Sequence, residues 1–313
     1  MSETPTAPQI VTSGRAAILV AFAALFMGLS WPLLHISMQS IEPLWFNATR
    51  MLLAGIVLAL VLAVRGKLIL PPRQDLRMLL SLGLFQFGLM AILIAYGVSI
   101  VGAGRTAMLV YTITIWVTLG SIIFYGEKPS RAQLAGICCG IAGLLTLFSP
   151  FGFDWSDRHV LIGNGCAVLA AIVWSVPLLQ VRRHRWHADP LQLLPYETIL
   201  GGLLTLPFAM IFESTVPHID WNTRAALSFT FIVIMATNFS FWALVTAGRR
   251  LPAIALSLAQ LTTPVIGVIS AAFIVAEVPS WTDIAGLALI VCGVAVAAIF
   301  GRRRTVQAPA PAR

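Results

Sequence analysis

Charged residues are scarce in this chain. Only 10% of its 313 residues are Asp, Glu, Lys or Arg, while 58% are hydrophobic. A water-soluble domain carries about 25% charged residues, so this chain has too little polar surface to cover a soluble globule. The composition therefore predicts an all-α integral membrane protein, in which each helix satisfies its own backbone hydrogen bonds within the lipid.

The sequence also lacks the motifs of pumps and common hydrolases. It contains no G-x-x-x-x-G-K-[ST] loop, which excludes a nucleotide-driven pump, and neither H-E-x-x-H nor G-x-S-x-G. Its four cysteines form no C-x-x-C pair, and its five histidines are scattered over loops and span ends. Paired carboxylates or histidines in mid-span, which an intramembrane enzyme would need, are missing. We therefore expect neither an enzyme nor a bound metal or cofactor.

Most of the chain divides into ten hydrophobic spans, each close to the roughly 20 residues that a bilayer crossing takes. Sixteen of the twenty Lys and Arg residues then fall on one side of the membrane and three on the other. The positive-inside rule places both termini in the cytoplasm. Because the basic residues follow this topology and form no patch, the net charge of +8 does not indicate nucleic-acid binding. The predicted spans are residues 16–38, 44–64, 76–98, 104–125, 131–148, 160–180, 191–212, 224–246, 252–275 and 281–300.

One phrase occurs twice in the sequence. Residues 126–147 read GEKPSRAQLAGICCGIAGLLTL and residues 276–297 read AEVPSWTDIAGLALIVCGVAVA, so that Glu127 matches Glu277. Each copy ends a half of five spans, and because five is odd the two halves insert with opposite orientation. Such inverted repeats are typical of alternating-access carriers. The predicted domains are a cytoplasmic tail at 1–15, a first five-helix repeat at 16–148, an inverted repeat at 160–300 and a basic cytoplasmic tail at 301–313.

With these motifs in place, the chain resembles a ten-helix, EamA-type member of the drug/metabolite transporter superfamily. The paired Glu-x-Pro-Ser phrases at 127–130 and 277–280 carry the resemblance, together with Pro264 in the ninth span and Arg50 in the second. The resemblance is strongest to the YddG-like amino-acid exporters, through Tyr111 and Trp174. It implies an inner-membrane exporter of amino acids or related small metabolites that works without ATP.

Polar and aromatic residues near the middle of spans are the candidates for a binding site, because a polar side chain in the hydrocarbon region must be paired or line a cavity. Amide and hydroxyl groups could pair with a zwitterion, and aromatic faces could hold a cation. The alternative is hydrogen bonding between helices, worth about 0.6–2 kcal/mol per bond. The candidates are Trp31, Gln86, Tyr111, Trp174, Asn238, Trp242 and Gln260.

Four charged residues lie inside predicted spans or directly before them. Arg50, in the second span, either binds a substrate carboxylate or bonds carbonyl groups of a neighbouring helix. Glu197, in the seventh span, is the one candidate proton carrier, and the two lie near opposite membrane faces, too far apart to pair. Glu127 and Glu277 are predicted to cap the helix that follows each of them.

Glycine and proline residues near two corresponding turns are candidate hinges. One turn joins the third and fourth spans, and the other joins the eighth and ninth. Because the turns match in the repeat, these span pairs are predicted to be the moving gates. The hinge candidates are Gly97, Gly102, Gly104, Gly248, Pro252 and Pro264.

These features together predict an exporter with a cavity between the two halves. Its partners would be a small-molecule substrate and the lipid bilayer, and it would be a monomer or a homodimer. Two alternatives stay open: a carrier of nucleotide-sugars, cationic drugs or sugar phosphates, and a proton-coupled antiporter. A phosphate carrier should show several Lys or Arg within spans, and a cation carrier a mid-span Glu.

Overall fold

The computed structural model describes residues 13–147, 157–181, 183–217, 219–248, 251 and 253–300. These residues form ten helical segments joined by short connections. Seven are long and apolar enough to cross a membrane, and shorter apolar stretches lie in the other three. The helices are α1 Ser13–Met38, α2 Pro43–Val64, α3 Leu76–Val101, α4 Ala103–Tyr125, α5 Arg131–Leu147, α6 Arg158–Val181, α7 Pro190–Phe212, α8 Thr223–Gly248, α9 Ala253–Ile274 and α10 Trp281–Phe300.

Successive helices alternate in direction, so their ends gather at two opposite ends of the bundle. At one end, the Asp220 N–H donates to the Ser40 carbonyl at 2.9 Å, and the Arg224 guanidinium donates to the Ile274 carbonyl at 2.8 Å. We call this the distal end, because α1 ends there, and the opposite one the proximal end. The sequence predicts that the proximal end faces the cytoplasm.

The packing of the helices follows a two-fold pattern. Helix α2 packs along α7 and α5 packs along α10, while α3 and α4 pack on α6, and α8 and α9 pack on α1. Exchanging each helix for the one five places later in the chain reproduces the same set of contacts. The fold is thus an all-α membrane bundle built from two inverted five-helix repeats.

Helices α3 and α8 share an unusual segment of backbone. Residues Leu82–Leu89 in α3 and Ile232–Phe239 in α8 form π-helical turns eight residues long. Such i→i+5 turns are rare and occur frequently at functional sites. The two segments stand 150 positions apart in the chain, so each repeat carries the same local irregularity.

The α2–α7 pair is fastened by a carboxylate at each end. At the distal end, the Glu213 carboxylate that follows α7 accepts the N–H groups of Leu44 and Trp45, at 2.9 and 3.1 Å, in the first turn of α2. At the proximal end, the Asp75 carboxylate that follows α2 accepts the Ala188 N–H at 2.9 Å, two residues before α7 begins. Glu213 thus accepts N–H groups left unpaired at the start of α2, whereas Asp75 ties the α2–α3 connection to the backbone just before α7.

The repeated phrase of the sequence starts two equivalent helices. Ser130 and Gln133 form a reciprocal capping box at α5, with N–H to side-chain oxygen distances of 2.8 and 3.2 Å. Ser280 and Asp283 form the same box at α10, at 3.0 and 3.2 Å. A serine bonded reciprocally to a residue three positions later is the established signature of a helix start.

Helices α5 and α10 approach each other closely through glycine. A Cβ added to Gly136 would lie 2.5 Å from the Gly293 carbonyl oxygen, and one added to Gly293 would lie 2.6 Å from the Gly136 carbonyl oxygen. Small residues allow such contacts between helices in membranes. The glycine-rich faces of α5 and α10 therefore pack against each other within one copy of the chain.

Candidate functional site

A cavity of about 120 Å³ lies between the two repeats. Both π-helical segments border it, α3 through Gln86 and Phe87 and α8 through Ala236 and Thr237. The cavity is therefore near the middle of those helices and away from both ends of the bundle. Its lining is Met27, Ser30, Trp31, Leu34, Arg50, Met51, Gln86, Phe87, Met90, Ile94, Val110, Tyr111, Trp174, Ala236, Thr237 and Phe241.

Five residues singled out from the sequence border this one cavity, although they come from five different helices. They are Trp31, Arg50, Gln86, Tyr111 and Trp174. The Trp31 and Tyr111 rings face each other at an angle of 59°, with centroids 6.4 Å apart. Most of the remaining lining is apolar, with methionine and phenylalanine side chains that offer an adaptable surface.

Helix α4 is interrupted where it meets the cavity. Residues Ala103–Val110 and Ile113–Tyr125 are helical, while Tyr111 and Thr112 form a turn between them. Irregular backbone at membrane depth is tolerated where it lines a cavity. No proline or glycine marks this position in the sequence, so the interruption could not be predicted from punctuation residues.

The cavity wall contains buried polar atoms without a hydrogen-bond partner in the described part of the chain. These are the Gln86 Oε1, the Trp174 Nε1 and the Arg50 Nε. Buried polar groups are almost always hydrogen-bonded in native proteins, and exceptions call for an explanation. One acceptor and two donors therefore remain available to a molecule that enters the cavity.

Three of the candidate residues lie outside this lining. The Asn238 amide instead donates to the Ala54 carbonyl at 3.1 Å, which joins α8 to α2. Trp242 packs against Phe239 with ring centroids 5.6 Å apart. Gln260 in α9 does not border the cavity either, and its buried Oε1 has no partner among the described residues. For Asn238, a bond between helices has taken the place of the expected cavity contact.

The second intramembrane charge is separate from the cavity. Glu197 in α7 is only 4% exposed, and its Oε1 has no hydrogen-bond partner among the described residues. No ion pair links it to Arg50 in the described structure. The sequence identified it as the one candidate proton carrier, but its near-complete burial is a tertiary feature.

A second cavity, of about 370 Å³, opens at the distal end beside Glu277. The Glu277 carboxylate accepts the Ala103 and Gly104 N–H groups, each at 2.8 Å, and its Oε1 lies 4.0 Å from the His35 Nδ1. The prediction that Glu277 caps the helix after it was wrong: it caps α4, more than 170 positions earlier. The capping box of Ser280 leaves the start of α10 already satisfied.

The hinge candidates differ in what surrounds them. Gly102 joins α3 to α4 with a positive φ of 83°, and Gly97 packs on Thr106 across that turn. Gly104 donates to Glu277. In the second repeat, Gly248 ends the last helical segment of α8, Pro264 lies inside α9, and Pro252 lies outside the described residues.

A cluster at the proximal end was not predicted from the sequence, in which its two histidines are simply two of five scattered over loops and span ends. His184 Nε2 lies 2.8 Å and His187 Nδ1 3.2 Å from the Asp75 Oδ1. Burial raises the pKa of the Asp75 carboxyl, but hydrogen bonds from His184, Ala188 and His187 outweigh it and bring the pKa below its usual 3.8. More than a hundred positions separate the acid from the histidines, so no local sequence pattern could predict the contact.

Comparison with known families bears directly on this arrangement. The EamA-like transporter family matches residues 14–149 and again residues 161–299. This chain belongs to the EamA-like transporter family. It is therefore a membrane transporter and not an enzyme, and the central cavity lies between the two segments that match the family.

Individual relatives agree with the family assignment. The Bacillus subtilis protein named "Uncharacterized transporter YoaV" is 28% identical over 283 residues, which cover 90% of this chain and 96% of the relative. A Salmonella typhimurium protein named "Probable amino-acid metabolite efflux pump" is 24% identical over 306 residues, covering 93% and 97%. One solved crystal structure superposes with a TM-score of 0.64 at 20% identity, over 91% of this chain and 97% of that one, which supports the fold alone.

Proposed function

We propose that this transporter exports amino acids or related small metabolites from the bacterial cytoplasm across the inner membrane without ATP. The observation that carries the proposal is the central cavity, where aromatic rings stand beside an unpaired acceptor and two unpaired donors. An amino acid offers a carboxylate, an ammonium group and a side chain, which match donors, acceptor and apolar wall respectively. The name of the Salmonella relative points to the same class of cargo.

The proposed mechanism is alternating access, in which the cavity opens to one side at a time. Helices α3, α4 and α6 would form one moving unit, and α8, α9 and α1 the other, since each set packs within itself. The Glu277 carboxylate bridges the two units at the distal end through the start of α4. Outward opening would then require the release of these hydrogen bonds, with Gly102 as the point of bending.

The parts of the molecule outside the cavity would support the movement of the two units. The two five-helix segments, 16–148 and 160–300, would act as the functional halves, with both tails in the cytoplasm. The α2–α7 and α5–α10 pairs would form the static frame, because hydrogen bonds to the Glu213 and Asp75 carboxylates hold the first pair together and close glycine contacts hold the second. The described lining of the cavity comes from one copy of the chain, so we expect transport to need no second copy.

The experiment that tests this function is transport of a labelled amino-acid panel by the purified protein in proteoliposomes, with and without an imposed pH gradient. We expect transport of some neutral amino acids above the level of protein-free vesicles, unaffected by the gradient. Absence of transport for every amino acid would refute the cargo, and dependence on the gradient would refute uncoupled export.

A substitution at Glu197 distinguishes uncoupled from proton-coupled transport. In the uncoupled mechanism, replacing Glu197 by Gln keeps the shape of a buried side chain and leaves the transport rate within about twofold of the original. Proton coupling instead predicts that this variant loses the response to a pH gradient. The measurement is transport by both proteins at equal amounts in the same vesicles, with and without the gradient.

A further inference from the structure

Arg50 is a positive charge at the wall of the central cavity, and none of the described lining residues carries a negative charge to balance it. Of the chain's twelve acidic residues, only Glu197 lies well inside a span. No ion pair of Arg50 is present among the described residues. An unpaired charge within a protein surrounded by lipid is costly and marks a functional position.

The neighbours of Arg50 orient the guanidinium without neutralising it. Its Nη2 donates to the Asn47 Oδ1 at 2.9 Å, and its Cζ lies 5.6 Å from the centre of the Phe46 ring. The Asn47 side chain is itself fixed, because its Nδ2 donates to the Ala91 carbonyl of α3. The side chain is therefore held in place by a neutral amide and an aromatic ring.

The guanidinium still has unused hydrogen-bonding capacity. Arginine carries five N–H donors, and the buried Nε of Arg50 has no partner in the described part of the chain. A carboxylate accepts two parallel N–H bonds from this group with matching geometry. The Trp174 Nε1, also unpaired at the cavity wall, could supply a further donor.

We propose that Arg50 is the counter-charge for a carboxylate on the cargo, and that the cavity selects molecules with a carboxylate against amines that lack one. This inference rests on the proposed function and narrows its cargo class. A cationic molecule would enter a site of like charge, without an acid to receive it. Cationic drugs and polyamines are thus excluded as cargo, and the transported form of an amino acid is bound by its carboxylate end.

The test uses compounds that share one side chain and differ in their charged groups. Phenylalanine has both groups, hydrocinnamate has the carboxylate alone, and phenethylamine has the ammonium alone. Leucine, isocaproate and isoamylamine form a second set. Transport of all six is measured in proteoliposomes with the full-length protein. We expect each compound with a carboxylate to be transported at least about tenfold faster than the matching amine.

Two variants assign this selectivity to Arg50. Replacing Arg50 by Gln should reduce transport of carboxylates by about tenfold to a hundredfold and leave the amines at their low level, because charged hydrogen bonds are lost. Replacing it by Lys should retain the preference for carboxylates at a reduced rate. The positive charge remains, but the two parallel N–H donors of the guanidinium are lost. Arg77, exposed at the start of α3, provides the control, and Arg77→Gln should change nothing.

Each other outcome has a definite meaning. Equal transport of amines and carboxylates by the original protein would overturn the inference while leaving a carrier function intact. An equal loss of all compounds in Arg50→Gln, at normal abundance and melting temperature, would make Arg50 structural and also overturn it. Transport of hydrocinnamate but of no amino acid would refute amino-acid export and support the role of Arg50. Transport of none of the six would refute both.

Discussion

Trp174 carries a polar group in the cavity that can be removed while an aromatic side chain is kept. We expect Trp174→Phe to slow transport by about threefold to tenfold, because a neutral hydrogen bond to the cargo is lost. The loss of stability should be confined to the packing cost of the smaller ring, since the indole Nε1 has no protein partner in the described structure. Transport in proteoliposomes and thermal unfolding of the detergent-solubilised protein measure the two effects.

Trp45 provides the matched control for this prediction. Its Nε1 donates to the Ser214 carbonyl at 2.9 Å at the distal end, away from the cavity lining. Trp45→Phe should therefore destabilise the protein by about 1 kcal/mol and leave transport per folded molecule unchanged. A variant pair with these effects reversed would show that Trp174 packs the fold and does not contact cargo.

Asp75 is expected to make stability depend on pH in the acidic range. Its pKa is lower in the folded protein than the usual 3.8, so its contribution is fully present above 3.8 and is lost as pH falls through the folded value. We expect Asp75→Asn to lower stability by about 2–3 kcal/mol at neutral pH, because charged hydrogen bonds to His184 and Ala188 are lost. Melting temperatures of both proteins across the pH range should converge in acid, and a constant difference would contradict this account.

At the scale of the element, the sequence predicted helices better than it predicted their interruptions. Length and hydropathy place ten spans within a few residues of the ten helices, because both follow from the thickness of the lipid. The π-helical turns of α3 and α8 and the turn at Tyr111 carry no such signal. Leu82–Leu89 and Ile232–Phe239 are as apolar as the helix around them, so packing between helices decides the local hydrogen-bond pattern.

The α3–α4 turn allows a test of what glycine provides there. Gly102 has φ of 83° and ψ of 170°, a region that is essentially restricted to glycine. A Cβ at this position would also lie 2.8 Å from the Glu277 Oε1. We expect Gly102→Ala to cost about 2–3 kcal/mol, through backbone strain and displacement of the α4 cap.

Gly126 provides a milder comparison. It also has a positive φ, of 62°, but its ψ of 22° places it in the left-handed helical region, and nothing lies within 4 Å of its added Cβ. Gly126→Ala should therefore cost only about 1 kcal/mol, from the left-handed conformation alone. Both variants are compared by thermal unfolding of the solubilised protein. Equal losses of stability would mean that neither the contact with Glu277 nor the more restricted backbone conformation of Gly102 matters.

At the scale of the whole molecule, the two-fold pattern of packing unites observations from distant parts of the chain. Glu213 and Asp75 fasten opposite ends of the α2–α7 pair, and equivalent capping boxes begin α5 and α10. In the proposed mechanism, two halves of opposite orientation would let the same cavity open to either side of the membrane. This symmetry is the physical basis for the proposed alternating access.

The orientation of the bundle in the membrane is predicted from charge and can be measured with cysteine labelling. Leu70 lies in the proximal α2–α3 connection and Val216 in the distal α7–α8 connection, exposed by 85% and 75%. In a background without the native cysteines, Val216→Cys should react with a membrane-impermeant maleimide on intact spheroplasts. Leu70→Cys should react only after permeabilisation. The reverse pattern would place both termini outside the cytoplasm.

The sequence by itself determined that the surrounding solvent is lipid, and it determined the number of spans, the inverted repeat and five of the sixteen residues around the cavity. These features depend on composition, on the lengths of the hydrophobic spans and on local resemblance between the two halves, all of which can be read from the sequence. The tertiary structure alone decided which polar groups meet. Asn238 bonds to α2, Glu277 caps α4, and Asp75 gathers two histidines, in each case across more than a hundred positions. Hydrogen-bond partners are set by the packing of whole helices, and a local pattern carries no information about a distant one.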